Sequence, residues 1–422
     1  MYLCCVYCEK YGLLGAHQHG FRRHRSTSTS LLTAITRWRA RKAEKKYQGI
    51  LLFDLSAAYD LVDKDVFLAK AEICGIKGQA NNWLRSYLSD RKQVVQVNAA
   101  RSNPIKLDYG IPQGSSCSCL VFALFVGDIN GWVRNGSVLA YADDTFVSVE
   151  ADTLEELKEK LEEEGGKVLS FFESNRFVTN PTKTGLLVIR PTNRGNQNLP
   201  VTITLSDAKI EEVPAAKLLG VWITNDLKFH KHIEKLTLDV KYSASLIWRV
   251  RRSLDSRVLR LMANGLLMSK IRYCAAVYGP EYVRLSETDP KSTRLQELQK
   301  VQNDALRLLT RNKRSDHVRI KDMLNQTGLM SVNQVCAYVS LIEYWKAREF
   351  RVPILDSILE KCGHGSRTLR SDTNGLMKST LDEQYANTVA ELWNKSSEKF
   401  KKTNLLIVAK MEAENLARSL PI

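Results

Sequence analysis

The stretch LAYADDTFVSV, residues 139–149, sets two aspartates side by side between two apolar runs. Adjacent carboxylates repel each other, so a fold keeps them cheaply only in water or around a cation. The flanks do not suit a solvated loop. Leu139, Tyr141, Phe146 and Val149 are strand formers, and Ala142-Asp143-Asp144 falls where a β-hairpin would turn. A third acid comes from GILLFDLS, residues 49–56, a continuous apolar run that reads as a buried strand. Asp54 closes that run, where a doubly buried strand does not normally place a charge. With the two segments side by side in one sheet, Asp54, Asp143 and Asp144 would meet. Three carboxylates there raise one another's pKa values unless divalent metal neutralises them. Magnesium takes a few carboxylates together with phosphate oxygens and water, which suits two-metal phosphoryl transfer.

The 422 residues have room for two or three packed lobes, and 44% hydrophobic content is ordinary for a globular chain. No run approaches the length of a membrane span, and the apolar start MYLCCVYCEKYGLL lacks the marks of a secretory signal. Nine scattered cysteines fit reduced thiols inside a cell better than a disulfide framework. The net charge of +16 is concentrated in two places. Residues 1–50 carry ten Lys/Arg against two Asp/Glu, and residues 251–350 carry eighteen against ten. Two basic regions around a near-neutral centre suggest clamps on a polyanion such as nucleic acid; solubility charge is the plainer alternative.

Along the chain, residues 27–47 read as a helix begun by a Ser/Thr cap and ending in the basic run RWRARKAEKK. Helices are expected at about 64–73 and 79–89, followed by an alternating strand, QVVQVN, a turn at GIPQG (110–114) and a buried helix using Leu120, Phe122, Leu124 and Phe125. An acidic amphipathic helix follows the hairpin at about 153–174, then strands at LLVI, VTITL and KLLGVWI. From about residue 230 nearly everything looks helical, so a domain boundary is expected near 225–230. NRGNQNLP (193–200) reads as a loop and KCGHGSRTLRSDTNG (361–375) as a linker before two final helices.

FDLSAAYD, GIPQGS, YADD, NPTKT and KLLGV occur in the order and approximate spacing of the reverse transcriptase of non-LTR (LINE-type) retrotransposons, and HGFRRHRST at 19–27 resembles the fingers motif preceding them. The resemblance runs from about residue 18 to 235. It implies an α+β right-hand polymerase, whose palm holds an antiparallel sheet and helices, followed by a mostly helical thumb and C-terminal region. Partial fingers would occupy 1–48, the palm 49–228 with an inserted fingers segment at about 75–110, the thumb 229–360, and linker plus final helices 361–422. The implied activity is RNA-directed DNA polymerisation from a primer 3′-hydroxyl, with an RNA template, a DNA primer or target and deoxynucleoside triphosphates as partners, and no membrane. A catalytically impaired nucleic-acid-binding remnant of the same fold is the alternative. The implied cofactor is a pair of Mg2+ ions, with Mn2+ as a substitute, and the implied setting is intracellular, in the nucleus.

Residue by residue, the resemblance makes Asp54 and Asp143 ligands of both metals and gives Asp144 a smaller metal role. Tyr59 would lie under the incoming sugar and exclude a 2′-hydroxyl; a core tyrosine is the plain reading. Gln113 and Gly114 would approach the nucleotide, with Tyr141 beside them, unless GIPQG is merely a surface turn. Lys183 resembles the lysine that protonates departing pyrophosphate, although an isolated lysine is ordinary surface charge. Leu219 and Gly220 correspond to the hairpin that positions the primer end. Arg22, Arg23 and Arg25 can contact phosphates or simply be solvated. Asp60 and Asp63 are expected to cap or pair locally rather than bind metal.

Three departures bear on the site. SCSC at 116–119 stands where the family has a Leu-Gly-Pro type turn, and Gly127 where Asn is usual, so Gln113 is expected to shift slightly. An earlier fingers segment and an endonuclease domain are expected upstream of residue 1. Cys5, Cys8, His17 and His19 form a C-x2-C…H-x-H pattern, open to zinc or to ordinary packing.

Overall fold

The computed structural model describes residues 2–55, 57–179, 183–191, 200–289, 292–350, 352 and 384–422. The expected loop at 193–200 lies almost wholly outside these, as do the linker at 361–375, Ser56, and Asn180 to Thr182 of NPTKT. In chain order come α1 (Tyr2–Lys10), α2 (Thr27–Ala43), β1 (Tyr47–Phe53), α3 (Lys64–Ile73), α4 (Gln79–Leu88), and four two-residue strands, β2 (Lys92–Gln93), β3 (Gln96–Val97), β4 (Ala100–Arg101) and β5 (Ile105–Lys106). Then follow α5 (Ser116–Phe125), β6 (Gly136–Tyr141), β7 (Asp144–Ala151), α6 (Leu154–Ser174), β8 (Gly185–Ile189), β9 (Thr202–Leu205), β10 (Ala208–Glu211), β11 (Ala215–Leu218), β12 (Val221–Thr224) and α7 (His230–Val250). Beyond α7 the described elements are all helical, with Thr293–Thr310, Val332–Glu349 and Leu406–Ser419 among the longest. Among the described residues no helix is long and apolar enough to cross a membrane.

Two compact units divide the chain: residues 1–26 with 44–216, and residues 27–43 with 217–422. The helix expected at 27–47 ends at Ala43 and groups with the later, helical unit.

The first unit is built on a four-stranded sheet in the order β6-β7-β1-β8. β1 is antiparallel to both neighbours, with Leu51 opposite Val147 on one side and Leu186 on the other. A strand central in its sheet can be apolar on both faces, which explains the unbroken run GILLF. Residues 49, 51 and 53 turn toward α6, where Leu161 lies against Gly49 and Phe172 sits edge-on to Phe53 at 5.9 Å. Buried residues Leu157, Leu161, Val168 and Phe172 recur at helical spacing along α6, whose N-cap, Thr153, accepts from the Glu156 N–H at 3.2 Å.

Two sequence expectations change here. QVVQVN is no single strand: β2 pairs with β5 and β3 with β4, so the segment is a small exposed meander. Val95 and Val97 gain no buried face, and alternation alone cannot report that. SCSC is likewise no turn. Ser116 opens α5 and Ser115 caps it by accepting from the Cys117 N–H at 3.3 Å. Buried Ser118 donates to the Pro112 carbonyl at 2.6 Å, so hydroxyls bind the GIPQG turn to the helix start.

Glu164, fully buried in α6, accepts from the backbone N–H groups of Arg134 and Asn135 at 3.0 and 3.1 Å and from the Lys167 ammonium at 2.8 Å. Burial alone would raise its pKa; the ammonium and the two N–H groups outweigh that and hold it below the ordinary value. A carboxylate with a depressed folded pKa stabilises the fold above its unfolded pKa, and that contribution is lost as pH falls through the folded value. Glu164→Ala is therefore expected to cost about 1–3 kcal/mol at pH 7, from two orphaned N–H groups. Wild-type and Glu164→Gln unfolding midpoints should converge as acid is added below the ordinary glutamate range, as followed by denaturant titration at a series of pH values.

Candidate active site

The β1–β7 ladder ends with Phe53 opposite Thr145, so Asp54 leaves β1 beside Asp144, the first residue of β7. Tyr141 pairs with Asp144 across the hairpin, leaving Ala142 and Asp143 as a two-residue turn. Asp54 and Asp144 are exposed and Asp143 is half-buried. Partial loss of water, then Asp143, then Asp54, raise the Asp144 carboxyl above the ordinary aspartate value. The acids thus share one end of the sheet, where Asp143 and Asp54 act on Asp144. Lys183, exposed, stands two residues before Gly185, the partner of Leu52, and so belongs to the same end.

All three groups offer carboxylate oxygen, the donor that hard divalent cations take, and a cation would offset the repulsion from Asp143 and Asp54 that adds to burial in raising Asp144. Among the described residues no three His, Cys, Asp or Glu side chains stand close enough to enclose an ion by themselves. An ion here would complete its shell with phosphate and water, as magnesium does.

Tyr59 stacks on Phe122 at 4.9 Å and 7°, and Phe21 meets its ring edge-on at 6.3 Å. Burial first, then Cys119 and Asp143, push its hydroxyl well up, so the phenol is neutral and near the acids. The GIPQG turn is fastened to the same segment: Gly110 N–H donates to the Val62 carbonyl at 2.8 Å and Ile111 N–H to that of Tyr59 at 2.9 Å. Gln113 donates to Asp60 at 3.0 Å, and exposed Gly114 turns with φ +81°. Asp63 caps α3, accepting from the N–H groups of Asp65 and Val66 at 2.8 and 3.1 Å, and pairs with Arg176. Asp60 and Asp63 are therefore local structural acids, as their positions in the sequence suggested.

The segment 17–19 runs beside β6: His19 N–H donates to the Ala140 carbonyl at 2.8 Å, and Ala140 N–H to that of His17 at 2.9 Å. Arg22 is turned inward, with its Nε and Nη2 on the Glu9 carboxylate at 2.8 and 2.5 Å and its Nη1 on the Gly15 carbonyl. Arg25 donates to the Ala16 and Gln18 carbonyls at 2.6 and 3.0 Å, while Arg23 is exposed. Burial, with Arg22 and Arg25 close by, lowers the His17 pKa to about 4; burial, with the same two arginines and His17, lowers that of His19 to about 3. Both imidazoles are neutral near pH 7. Cys8 is buried, its thiol pushed up to about 12 by burial. Among the described residues, Cys5, Cys8, His17 and His19 form no group of three that could hold an ion.

Sequence reasoning missed Gln18. Its Oε1 accepts from the N–H groups of Gly20 at 2.7 Å and Ala142 at 3.1 Å, with no solvent exposure. Gly20 is required there, because a Cβ would stand 2.3 Å from the Ala142 nitrogen. That glycine inside HGFRR was the available signal, though it does not name its partner. In the second unit, Leu219 and Gly220 form the turn between β11 and β12 with φ of 44° and 81°, and Tyr273 donates to the Leu219 carbonyl at 2.8 Å.

Residues 6–223 match the family model described as reverse transcriptase (RNA-dependent DNA polymerase). The chain is 26% identical over 234 residues to a probable RNA-directed DNA polymerase from transposon BS of Drosophila melanogaster, covering 53% of this chain and 25% of that protein. It is 26% identical over 278 residues to the RNA-directed DNA polymerase from mobile element jockey of Drosophila funebris, covering 62% of this chain and 29% of that protein. The chain thus spans under a third of these two relatives. Among solved structures, telomerase from Candida tropicalis in complex with a fragment of telomeric RNA aligns with 84% of this chain and 55% of its own, at 12% identity and a TM-score of 0.39.

A carboxyl with a raised folded pKa weakens the fold at neutral pH, and the penalty disappears as pH falls through that raised value. Asp144→Asn is expected to raise the thermal midpoint at pH 7 without divalent ions, for a stability gain of less than about 1 kcal/mol because the group is open to solvent. The gain over wild type should shrink on acidification, as scanning calorimetry from pH 7 to pH 4 would show.

Proposed function

The chain belongs to the reverse transcriptase (RNA-dependent DNA polymerase) family, with non-LTR retrotransposon enzymes as its relatives, and on that footing we propose that it copies RNA into DNA. The reaction joins the primer 3′-oxygen to the α-phosphorus of a deoxynucleoside triphosphate and releases pyrophosphate. The observation that carries this reading is the arrival of three acids at one end of the sheet, where partial burial, then Asp143 and Asp54, raise Asp144.

Asp54 and Asp143, with Asp144 in a lesser part, would hold the divalent ions, Mg2+ or Mn2+. Bound ions supply acidity to the primer hydroxyl and charge neutralisation to the triphosphate. The protein's own groups do the placing. The Tyr59 ring is braced flat on Phe122, and beside the acids it would exclude a 2′-hydroxyl on the incoming sugar. Gln113 and Gly114, with Tyr141, offer a polar edge to the nucleotide. Lys183 gives a proton to departing pyrophosphate. Leu219 and Gly220 seat the primer end, and Arg23 meets template or nucleotide phosphate. Arg22 and Arg25 serve the same site from behind, by fixing the backbone that carries Arg23.

With oligo(dT) annealed to poly(rA), dTTP and Mg2+ or Mn2+, the protein should extend the primer, and Asp143→Asn should lower the rate by at least about a thousandfold while binding the hybrid with little change. Tight hybrid binding with no wild-type extension would identify the impaired, nucleic-acid-binding alternative. Tyr59→Ala should narrow the preference for dNTP over rNTP by about 10- to 100-fold in kcat/KM, as measured in single-nucleotide addition. An unchanged preference would remove Tyr59 from the sugar-selecting role.

A further inference from the structure

We propose that Gln18 is a positioning residue of the polymerase reaction, holding the Ala142–Asp143 turn in the conformation that aims the carboxylates. This inference rests on the reading of Asp143 as a metal ligand and deepens it.

The turn has a problem of its own. Ala142 sits at φ 58°, and Asp143 is not among the positive-φ residues. Two-residue hairpins with positive φ at the first central position alone favour glycine there, because Cβ crowds the backbone. Ala142 instead adopts an unfavourable conformation that persists only when its surroundings impose it. Those surroundings are specific. Gln18 Oε1 accepts from the Ala142 N–H at 3.1 Å, and its Nε2 makes a longer, 3.5 Å contact with the Ala142 carbonyl. One amide side chain thus addresses both polar groups of one residue, as a neighbouring strand would.

Gln18 is itself held. The Gly20 N–H donates to the same Oε1 at 2.7 Å, fixing which end of the amide faces the turn. His17 and His19 tie its backbone to Ala140, and Arg25 binds its carbonyl at 3.0 Å. Gly20 lets the two backbones close, since any side chain there would meet the Ala142 nitrogen. Everything near Ala142 is therefore arranged to admit one conformation, and Asp143 is the next residue. Without the amide, the turn gains the freedom to relax toward negative φ and rotate both carboxylates away from Asp54.

The test compares wild type, Gln18→Ala, Gln18→Met and Asp143→Asn in primer extension on poly(rA), with a thermal melt on each. Gln18→Ala and Gln18→Met should lower kcat on the order of 10- to 100-fold, with KM for dTTP and affinity for the hybrid changed less than about threefold. Ala142→Gly, which removes the strain, should restore part of kcat in the Gln18→Ala background, while the lost buried hydrogen bonds let the thermal midpoint recover only in part. A generally loosened fold would instead raise KM and weaken hybrid binding in step with kcat, and Ala142→Gly would not help; that pattern overturns the proposal. So does a folded Gln18→Met protein of wild-type kcat. If Gln18→Ala does not fold, Gln18→Met with and without Ala142→Gly decides by the same criterion. Asp143→Asn separates the two levels: if it keeps full activity the polymerase reading of the site fails, whereas loss there with normal Gln18 variants rejects only the positioning role.

Discussion

Like charges at the end of a buried sheet impose the constraint around which the first unit is arranged. Asp54, Asp143 and Asp144 gain nothing from one another, and partial loss of water, then Asp143 and Asp54, hold the Asp144 carboxyl above its ordinary value. Such a cluster persists only on a backbone too rigid to spread it. The ladder between β1 and β7 supplies that rigidity, through seven residue pairs from Tyr47–Ala151 to Phe53–Thr145. β1 is central, apolar on both faces and covered on one by α6, so the strand cannot slip without exposing Leu51 and Phe53. Hydrophobic burial at one end of the strand thus holds electrostatic repulsion at the other.

The turn and the N-terminal segment extend the same logic. A hairpin tip is ordinarily the most mobile part of a sheet, yet here Ala142 at the tip is buried and hydrogen-bonded to Gln18. The segment around Gln18 brings it the order of a sheet interior by pairing with β6 and closing on Ala142. Arg22 and Arg25 complete the brace by binding backbone carbonyls. They are charged groups used as multidentate donors, a role suited to the planar guanidinium. The arginines of this basic segment therefore divide between Arg22 and Arg25, which bind backbone carbonyls, and Arg23, left facing outward.

Much of the local structure was legible in the sequence because it follows from periodicity and capping. The helix expected at 64–73 occupies those residues, since Asp63 is a strong N-cap and Gly75 follows its end. The hairpin at 139–149 and the acidic helix after it were legible for similar reasons. QVVQVN misled because its alternation has no covering layer, and SCSC because small polar residues suit a turn and a helix start equally well. The grouping of α2 with residues 217–422 had no local signal at all.

The amino-acid sequence by itself determined the inventory: an acid at the end of an apolar strand, a second pair at a hairpin tip, the order of the motifs that tie the chain to its family, and the basic regions. Spacing and side-chain chemistry are local properties, so they can be read without coordinates. Only the tertiary structure decided which groups act on which. Gln18 reaches Ala142 across 124 positions, and Gln113 reaches Asp60 across 53. Such hydrogen bonds depend on distances set by the packed sheet, and a buried amide between two histidines looks, in sequence, like any other polar residue.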